Sequence, residues 1–168
     1  MTVKTAQIQV VYDGYETGPN AVTPQIFAPK LSKVLQFTTG VAANQADIQY
    51  VAKRTVAGGA NDDLDLAGVL ADAFGSVITS AEIVGLVIMS DSTNPASLVV
   101  GGGSNPWIAP WIATGDGVKV PVGGVFCLFG QDATGIGAVI AATGDILRIN
   151  NPGGTPANYQ IAILARSA

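Results

Sequence analysis

The sequence contains no histidine, and this absence removes two large classes of functional site. Histidine is the commonest general base near neutral pH and the commonest transition-metal ligand in proteins. Ser–His–Asp and Cys–His catalysis are therefore excluded. An ordinary zinc site is excluded as well, because a single cysteine cannot supply its set of nitrogen and sulfur ligands.

Cysteine is almost as scarce as histidine. Cys127 is the only one, and it lies within "VFCLF", a run that predicts a buried strand. Burial in apolar surroundings raises a thiol pKa, so the pattern predicts an inert core thiol rather than a nucleophile. One cysteine also rules out an internal disulfide, which makes the chain compatible with assembly in a reducing cytoplasm.

Charged residues make up only 12% of the chain, about half of the usual ~25%. The eight lysines and arginines are scattered, with only Lys53 and Arg54 adjacent, and the formal net charge is −4. Nucleic-acid binding needs a concentrated positive face, so we expect no nucleic-acid partner. A surface so poor in charge is covered by small neutral groups or by another subunit. We favour a homo-oligomer, a dimer or a trimer, because large apolar patches are rare on monomers.

Long apolar runs are missing too. No stretch approaches the roughly 18 residues of a membrane-spanning helix, and the start, "MTVKTAQIQVVYDG", lacks the apolar segment of a secretory signal. We therefore expect neither a membrane partner nor a secretory leader.

Proline marks the first part of the chain. Pro19, Pro24 and Pro29 recur at nearly regular intervals, and proline favours extended backbone at itself and at its predecessor. Residues 1–32 are therefore predicted to form an extended N-terminal arm with a short strand at 7–12. Ile26 and Phe27 give this arm an apolar segment with which to dock on its own domain or on a neighbour.

Short apolar segments and glycine-rich turns alternate through residues 33–168, which we interpret as one domain. Many short strands with turn signals between them predict an all-β, antiparallel β-sandwich, and their number suits a jelly roll. One segment, "VLADAFGSVITSAE", has apolar residues at helical spacing, and predicts a short helical turn at 70–74 and a strand from near Val77. The predicted strands are 34–39, 48–55, 64–66, 83–90, 97–101, 118–122, 125–129, 138–141, 146–150 and 159–165.

Carboxylates are densest in "NDDLDLAGVLAD". Asn61, Asp63 and Asp65 match the first three ligand positions of a calcium loop, but Leu66 replaces the required glycine and Asp72 the usual glutamate. A strand with outward-facing aspartates explains the same pattern, so we predict no metal and no cofactor. Hydrolysis by carboxylates alone ranks last among the possible functions, and we expect no enzymatic activity.

Both tryptophans of the chain lie in "NPWIAPW", and this segment is open to three interpretations. Exposed tryptophans can stack on sugar rings, but such sites also need polar groups that bind the hydroxyls. The neighbours here are apolar, which favours a hydrophobic plug or a subunit contact. Core and interface roles remain open at this point. The predicted interface residues are Ile26, Phe27, Trp107, Ile108 and Trp111.

Several longer stretches carry a resemblance to a known group of proteins. These are "NDDLDLAGVLADAFGSVITSAEIVGLVIMSDSTNPASLVVGG", "NPW", "VPVGGVFCLFGQDATG" and "GDILRINNPGGTPANYQIAILARSA". Over residues 61–168 the chain resembles small β-rich structural proteins of tailed bacteriophages, namely capsid decoration (cement) proteins and spike or fibre-base proteins. The resemblance implies a β-sandwich virion component without enzymatic activity. Its partners would be itself and the major capsid protein or another virion protein.

Two functions are therefore expected. The first is a capsid decoration protein on the exterior of a phage particle, assembled in the host bacterial cytoplasm, that stabilises the shell through subunit contacts. An acidic chain suits the exterior better than contact with packaged DNA. The alternative is a carbohydrate-binding module or a tail or spike adhesin that uses exposed tryptophans.

Overall fold

The computed structural model describes residues 3–19 and 25–168, and these residues form strands and turns only. They contain no helix, and hence none long and apolar enough to cross a membrane. The first five strands belong to the N-terminal part: β1 (Thr5–Asp13), β2 (Glu16–Gly18), β3 (Gln25–Phe27), β4 (Lys30–Thr39) and β5 (Gln45–Ala46). The body contains β6 (Ile48–Val56), β7 (Asn61–Asp65), β8 (Glu82–Ser90), β9 (Leu98–Gly101), β10 (Gly117–Val120), β11 (Val125–Phe129), β12 (Gly137–Ala138), β13 (Ile146–Asn150) and β14 (Ala157–Arg166).

The body is a two-sheet sandwich. One sheet has the order β11-β8-β14-β6, with β12 added beside β8, and the other has the order β10-β9-β13-β7. Counted along the body without the two-residue β12, the first sheet holds the sixth, third, eighth and first strands. The second sheet holds the fifth, fourth, seventh and second. This interleaving is the strand order of a jelly roll, so the predicted fold class is confirmed.

The core lies between the two sheets because inward side chains recur at every second position. In β14 these are Tyr159, Ile161 and Ile163, each 1% exposed. They pack with inward residues of β8 and with residues of the opposite sheet such as Leu147. The alternation "YQIAILA" thus places one face of β14 in the core and leaves the other on the outer surface of its sheet.

The predicted helical turn at 70–74 is wrong. Ala71 and Val77 form an isolated antiparallel bridge, so the segment is a loop folded back on itself. Two features compete with a helix: Gly75 adopts a φ of +82°, and the Asp72 carboxylate accepts the backbone N–H groups of Phe74 and Ser76. The predicted strand from near Val77 is reduced to this bridge, and regular pairing begins only at β8.

The N-terminal arm is an antiparallel ribbon rather than a single extended segment. β1 pairs with β4 over its whole length, from Thr5 opposite Thr38 to Asp13 opposite Lys30. β2 and β3 pair with each other beyond the far end of these strands. The second long strand crosses residue 32, the expected end of the arm, and continues to Thr39. The predicted strand at 7–12 lies within β1, and Pro24 lies outside the described residues.

Candidate interaction surface

The ribbon formed by β1 and β4 has one apolar face. Residues directly opposite each other in an antiparallel pair project on the same side, so the register sorts the side chains. We call one side the apolar face, and Lys33 is its single charged residue. The members of the apolar face are Ala6, Ile8, Val10 and Tyr12 of β1 and Leu31, Lys33, Leu35 and Phe37 of β4.

Half of the apolar face is docked on the body. Leu35 and Phe37 are buried in a cluster with Val84 and Leu164, which belong to the outer face of the β11-β8-β14-β6 sheet. Gly85 lies beneath the ribbon, where an added Cβ would approach the Ile8 Cδ1 to 2.9 Å. A glycine at this position lets the ribbon lie close against the sheet.

The other half of the apolar face projects beyond the body. Val10 is 47% exposed, and Tyr12 and Leu31 are more exposed still. At the ribbon's far end Ile26 and Phe27 are 60% and 63% exposed. The predicted interface residues Ile26 and Phe27 are therefore accessible, and their role in contacts stays a prediction.

An open apolar surface on the body lies beside the docked half of the ribbon. A groove of about 480 Å³ runs between residues 5–9 of β1 and the outer face of the sheet. Its floor includes Val51, Val87 and Ala162 from three neighbouring strands. Farther along the same sheet, Met89 and Val125 are also exposed. The ribbon thus covers only one end of this sheet's outer face.

Trp107 does not belong to any surface. Its side chain is 1% exposed and lies in the main core, and its Nε1–H donates to the carbonyl oxygen of Ala138 at 3.0 Å. The backbone explains the placement, because the Trp107 N–H donates to the Ile146 carbonyl and anchors the loop on β13. The prediction of Trp107 as an interface residue is therefore wrong, and the residue is a core plug of its own sandwich.

Trp111 lies at the margin of the same core. Its ring stacks on Phe126 with the centroids 5.9 Å apart and the planes 21° from parallel. Its buried Nε1–H has no hydrogen-bond partner among the described residues. Ile108 and Ile112 lie on the same loop, between β9 and β10. Ile108 is about half exposed, and Ile112 is fully exposed. The structure therefore separates the predicted interface residues between the ribbon tip, this loop and the core.

The carboxylates that matched a calcium loop diverge to different partners. Asp63 forms a two-point ion pair with Arg148 on the neighbouring strand, at 2.6 and 2.7 Å, whereas Asp65 accepts the backbone N–H of Ala67. Across residues 3–19 and 25–168, no group of three potential metal-ligating side chains occurs.

Sequence reasoning missed a polar network that links the two sheets. Asp62 accepts hydrogen bonds from the Arg54 guanidinium at 2.6 and 2.7 Å and from the Tyr159 hydroxyl at 2.9 Å. Burial acts to raise the pKa of Asp62, but the hydrogen bonds from Arg54 and Tyr159 outweigh it and hold that pKa below its ordinary value. Burial, followed by the nearby charge of Asp62, raises the pKa of Tyr159. The network joins β6 and β14 to β7 and serves the fold.

We expect the Asp62→Asn variant to lose about 1–3 kcal/mol of unfolding free energy at neutral pH, because buried donors lose their charged acceptor. The pKa of Asp62 is lower in the folded chain than its ordinary value of 3.8. Its contribution is therefore present above the unfolded pKa and is lost as the pH falls through the folded pKa. Urea unfolding at pH 7 and near pH 3 measures the difference between variant and wild type. That difference should shrink in acid, and a constant difference would contradict the argument.

The matched control is the Asp63→Asn variant. Asp63 is the next residue on β7 and also pairs with an arginine, but its side chain is 42% exposed against 14% for Asp62. We expect a loss of less than about 1 kcal/mol there.

Comparison with known proteins finds little similarity. No protein-family model matches the chain, and no curated protein matches it. Among solved structures, the crystal structure of a Yersinia pseudotuberculosis-derived mitogen is similar over 72% of this chain and 88% of that chain. The sequences are 12% identical and the TM-score is 0.35, so this likeness carries no argument about function.

Proposed function

We propose that this chain is a non-enzymatic structural component of a tailed-phage particle, a capsid decoration protein that stabilises the shell by subunit contacts. The observation that carries the proposal is the projecting ribbon with its exposed large apolar side chains. Val10, Leu31, Ile26 and Phe27 are all exposed on it, in a chain with few charges. A two-stranded ribbon is marginal in water on its own. An apolar ribbon of this kind therefore favours a role in which a neighbour covers it.

The resemblance of residues 61–168 to phage decoration proteins supports the choice among structural roles. The jelly roll agrees with that choice without deciding it, since viral capsid proteins, lectins and cupins all use this architecture. The net charge of −4 favours the particle's exterior over its DNA-filled interior.

The mechanism is binding repeated at many symmetric sites. The tip residues Ile26 and Phe27 would insert into an apolar recess of the major capsid protein. Full burial of each such side chain contributes about 1.5–3 kcal/mol. Summed over the copies on a shell, modest contacts of this size resist expansion and heat.

The tryptophan segment gives no support to the carbohydrate-binding alternative. Trp107 is buried, and one face of the Trp111 ring is covered by Phe126. A sugar platform needs exposed ring faces, and this pair does not present two of them.

The test compares complete particles with particles made without this chain. We expect hundreds of copies per complete particle by quantitative mass spectrometry, and DNA release at a lower temperature when the chain is missing. Equal heat resistance would contradict a cement role, and a handful of copies would point to the tail or baseplate instead.

A variant pair locates the contact. An Ile26→Ser, Phe27→Ser double variant should bind stripped particles at least about tenfold more weakly than wild type, as expected when two central apolar contacts are lost. The matched control is Ile112→Ser, which removes a fully exposed isoleucine from the body, against 60% exposure for Ile26. Equal binding by both variants would contradict the tip contact.

A further inference from the structure

β1 leaves a long backbone edge unpaired. It is the edge strand of a sheet with the order β1-β4-β5, so one of its sides faces no other strand among the described residues. Natural proteins usually protect such an edge with lysine, proline or a bulge. The sequence of β1, "TAQIQVVYD", has no lysine and no proline, and its only charge is the terminal Asp13. β4, by contrast, carries Lys30 and Lys33.

The free edge of β1 faces the open groove. Residues 5–9 of β1 form one wall of that groove, and Val51, Val87 and Ala162 lie on its floor. A further strand that paired with this part of β1 would therefore lie over the uncovered outer face of the sheet. To fit, it would need apolar side chains on the side that faces the floor.

We propose that the occupant is β1 of a second copy of this chain, paired antiparallel with the first about Gln9. Gln9 is the central residue of the nine in β1. Pairing about it places Ile8 opposite Val10 and Ala6 opposite Tyr12 of the partner copy. All four residues belong to the apolar face, so the two ribbons merge into one four-stranded sheet whose apolar side is continuous.

Each copy then covers what the other leaves open. The projecting half of β1, residues 9–13, spans about 13 Å from its first to its last Cα atom at the usual rise of a strand. On the outer face of β8, the stretch from Gly85, which lies beneath Ile8, to the exposed Met89 also spans about 13 Å by this rise. The side chains of Val10 and Tyr12 would fill the partner's groove as Ile8 fills the space above Gly85 within one chain. The new contact would extend, in the partner copy, the contact that β1 already makes with the outer face of the sheet within one chain.

The pairing also closes on itself. A two-fold axis through Gln9 uses the same edge from both copies, so neither β1 edge remains free for a third. The expected assembly is a dimer of about twice the 17.0 kDa chain mass.

Adjacent valines provide the first test. Val10 and Val11 are 47% and 46% exposed and project on opposite sides of the ribbon. Val10→Glu would bury a carboxylate in the partner's groove, whereas Val11→Glu would remain in water. Because Val10 lies opposite Lys33 within the ribbon, the new glutamate has a cross-strand cation and the variant should still fold. Circular dichroism checks that it does.

Light scattering during gel filtration gives the mass of each variant. We expect wild type and Val11→Glu to be dimers, and Val10→Glu to dimerise about tenfold or more weakly. A wild type that stays at the single-chain mass at tens of micromolar would overturn the proposal. The partner that covers the ribbon would then be a different protein. Equal weakening by both glutamates, or a trimeric wild type, would overturn it too.

Cross-linking tests the register. In a Cys127→Ser background, the Gln9→Cys variant should form a disulfide-linked dimer under mild oxidation, because the two introduced thiols face each other across the axis. The control is Val11→Cys, whose two copies would lie about 13 Å apart along the strands, beyond disulfide reach. Equal cross-linking of both variants, or none, would refute pairing about Gln9.

This inference stands apart from the proposed function. A monomeric chain that still protects phage particles from heat would overturn the dimer and leave the decoration role intact. A chain that dimerises in solution but is absent from particles would overturn the decoration role and leave the dimer intact.

Discussion

Replacing Trp107 by alanine is expected to lower the free energy of unfolding by about 3–5 kcal/mol, the usual cost of removing a buried large aromatic residue. Trp107 is among the largest fully buried side chains of the chain, at 1% exposure. The truncation leaves a cavity in the main core and also leaves the Ala138 carbonyl without the indole N–H. Since domains are stable by about 5–15 kcal/mol, this single change removes a large fraction of the total.

Equilibrium urea unfolding measures the loss, and two further variants identify its cause. Trp107→Phe retains most of the volume but not the hydrogen bond, so we expect a smaller loss of about 1–3 kcal/mol. Ile112→Ala, on the exposed part of the same loop, should change stability by no more than about 0.5 kcal/mol. If Trp107→Phe altered the oligomeric mass but not the stability, the residue would belong to an interface after all.

The sequence predicted the sandwich well because its signals are local. The alternation in "YQIAILA" and the glycine-rich turns on either side depend only on neighbouring residues. The predicted strand at 146–150 coincides with β13, and that at 125–129 coincides with β11. When most strands of a domain are located correctly, their number limits the possible sandwich topologies to a few.

The placement of the tryptophans depends on long-range contacts and could not be predicted in the same way. Trp107 enters the core because its backbone N–H bonds to Ile146, nearly forty residues later. Its indole N–H is satisfied by the carbonyl of Ala138. Trp111, in the same apolar segment, remains at the margin against Phe126. Nothing in "NPWIAPW" distinguishes the two positions.

Part of the β1–β4 ribbon could be predicted from the sequence. Prolines indicated extended backbone, and a short strand was predicted at residues 7–12. Its partner β4 was predicted only in part, as the strand at 34–39, because the first residues of "KLSKVLQFTT" mix lysine and serine with leucine. Only the register shows that Leu31, Leu35 and Phe37 share a side with Ile8 and that Lys33 interrupts it.

The second large effect concerns Arg166, where methionine should cost about 3–5 kcal/mol, as when one partner of a buried ion pair is removed. The side chain is fully buried. Its guanidinium forms an ion pair with Glu82 and donates to the carbonyl oxygens of Gln45, Asp132 and Ala133 at 2.7–3.0 Å. A methionine would leave a carboxylate and three carbonyls without these donors.

The exposed pair of Arg148 and Asp63 supplies the control, since Arg148→Met should cost less than about 1 kcal/mol. Arg166→Lys separates charge from geometry, because an ammonium retains the cation but cannot reproduce the planar set of donors. Thermal and urea unfolding of the three variants should rank them Arg166→Met, Arg166→Lys, Arg148→Met from least to most stable. Equal losses at Arg166 and Arg148 would show that burial does not matter here.

Replacing Arg166 should lower the local stability of the ribbon as well as that of the body. Its bond to Gln45 holds β5, and β5 pairs with Thr38 and Thr39 at the end of β4. Hydrogen exchange in Arg166→Lys should therefore increase at β4 and β5 more than at β13, to which the Arg166 guanidinium forms no hydrogen bond. An increase spread evenly over both sheets would mean that Arg166 supports the sandwich only. A local increase would make it the residue that fixes the angle at which the ribbon leaves the body, and hence the position of the β1 edge that a second copy must meet.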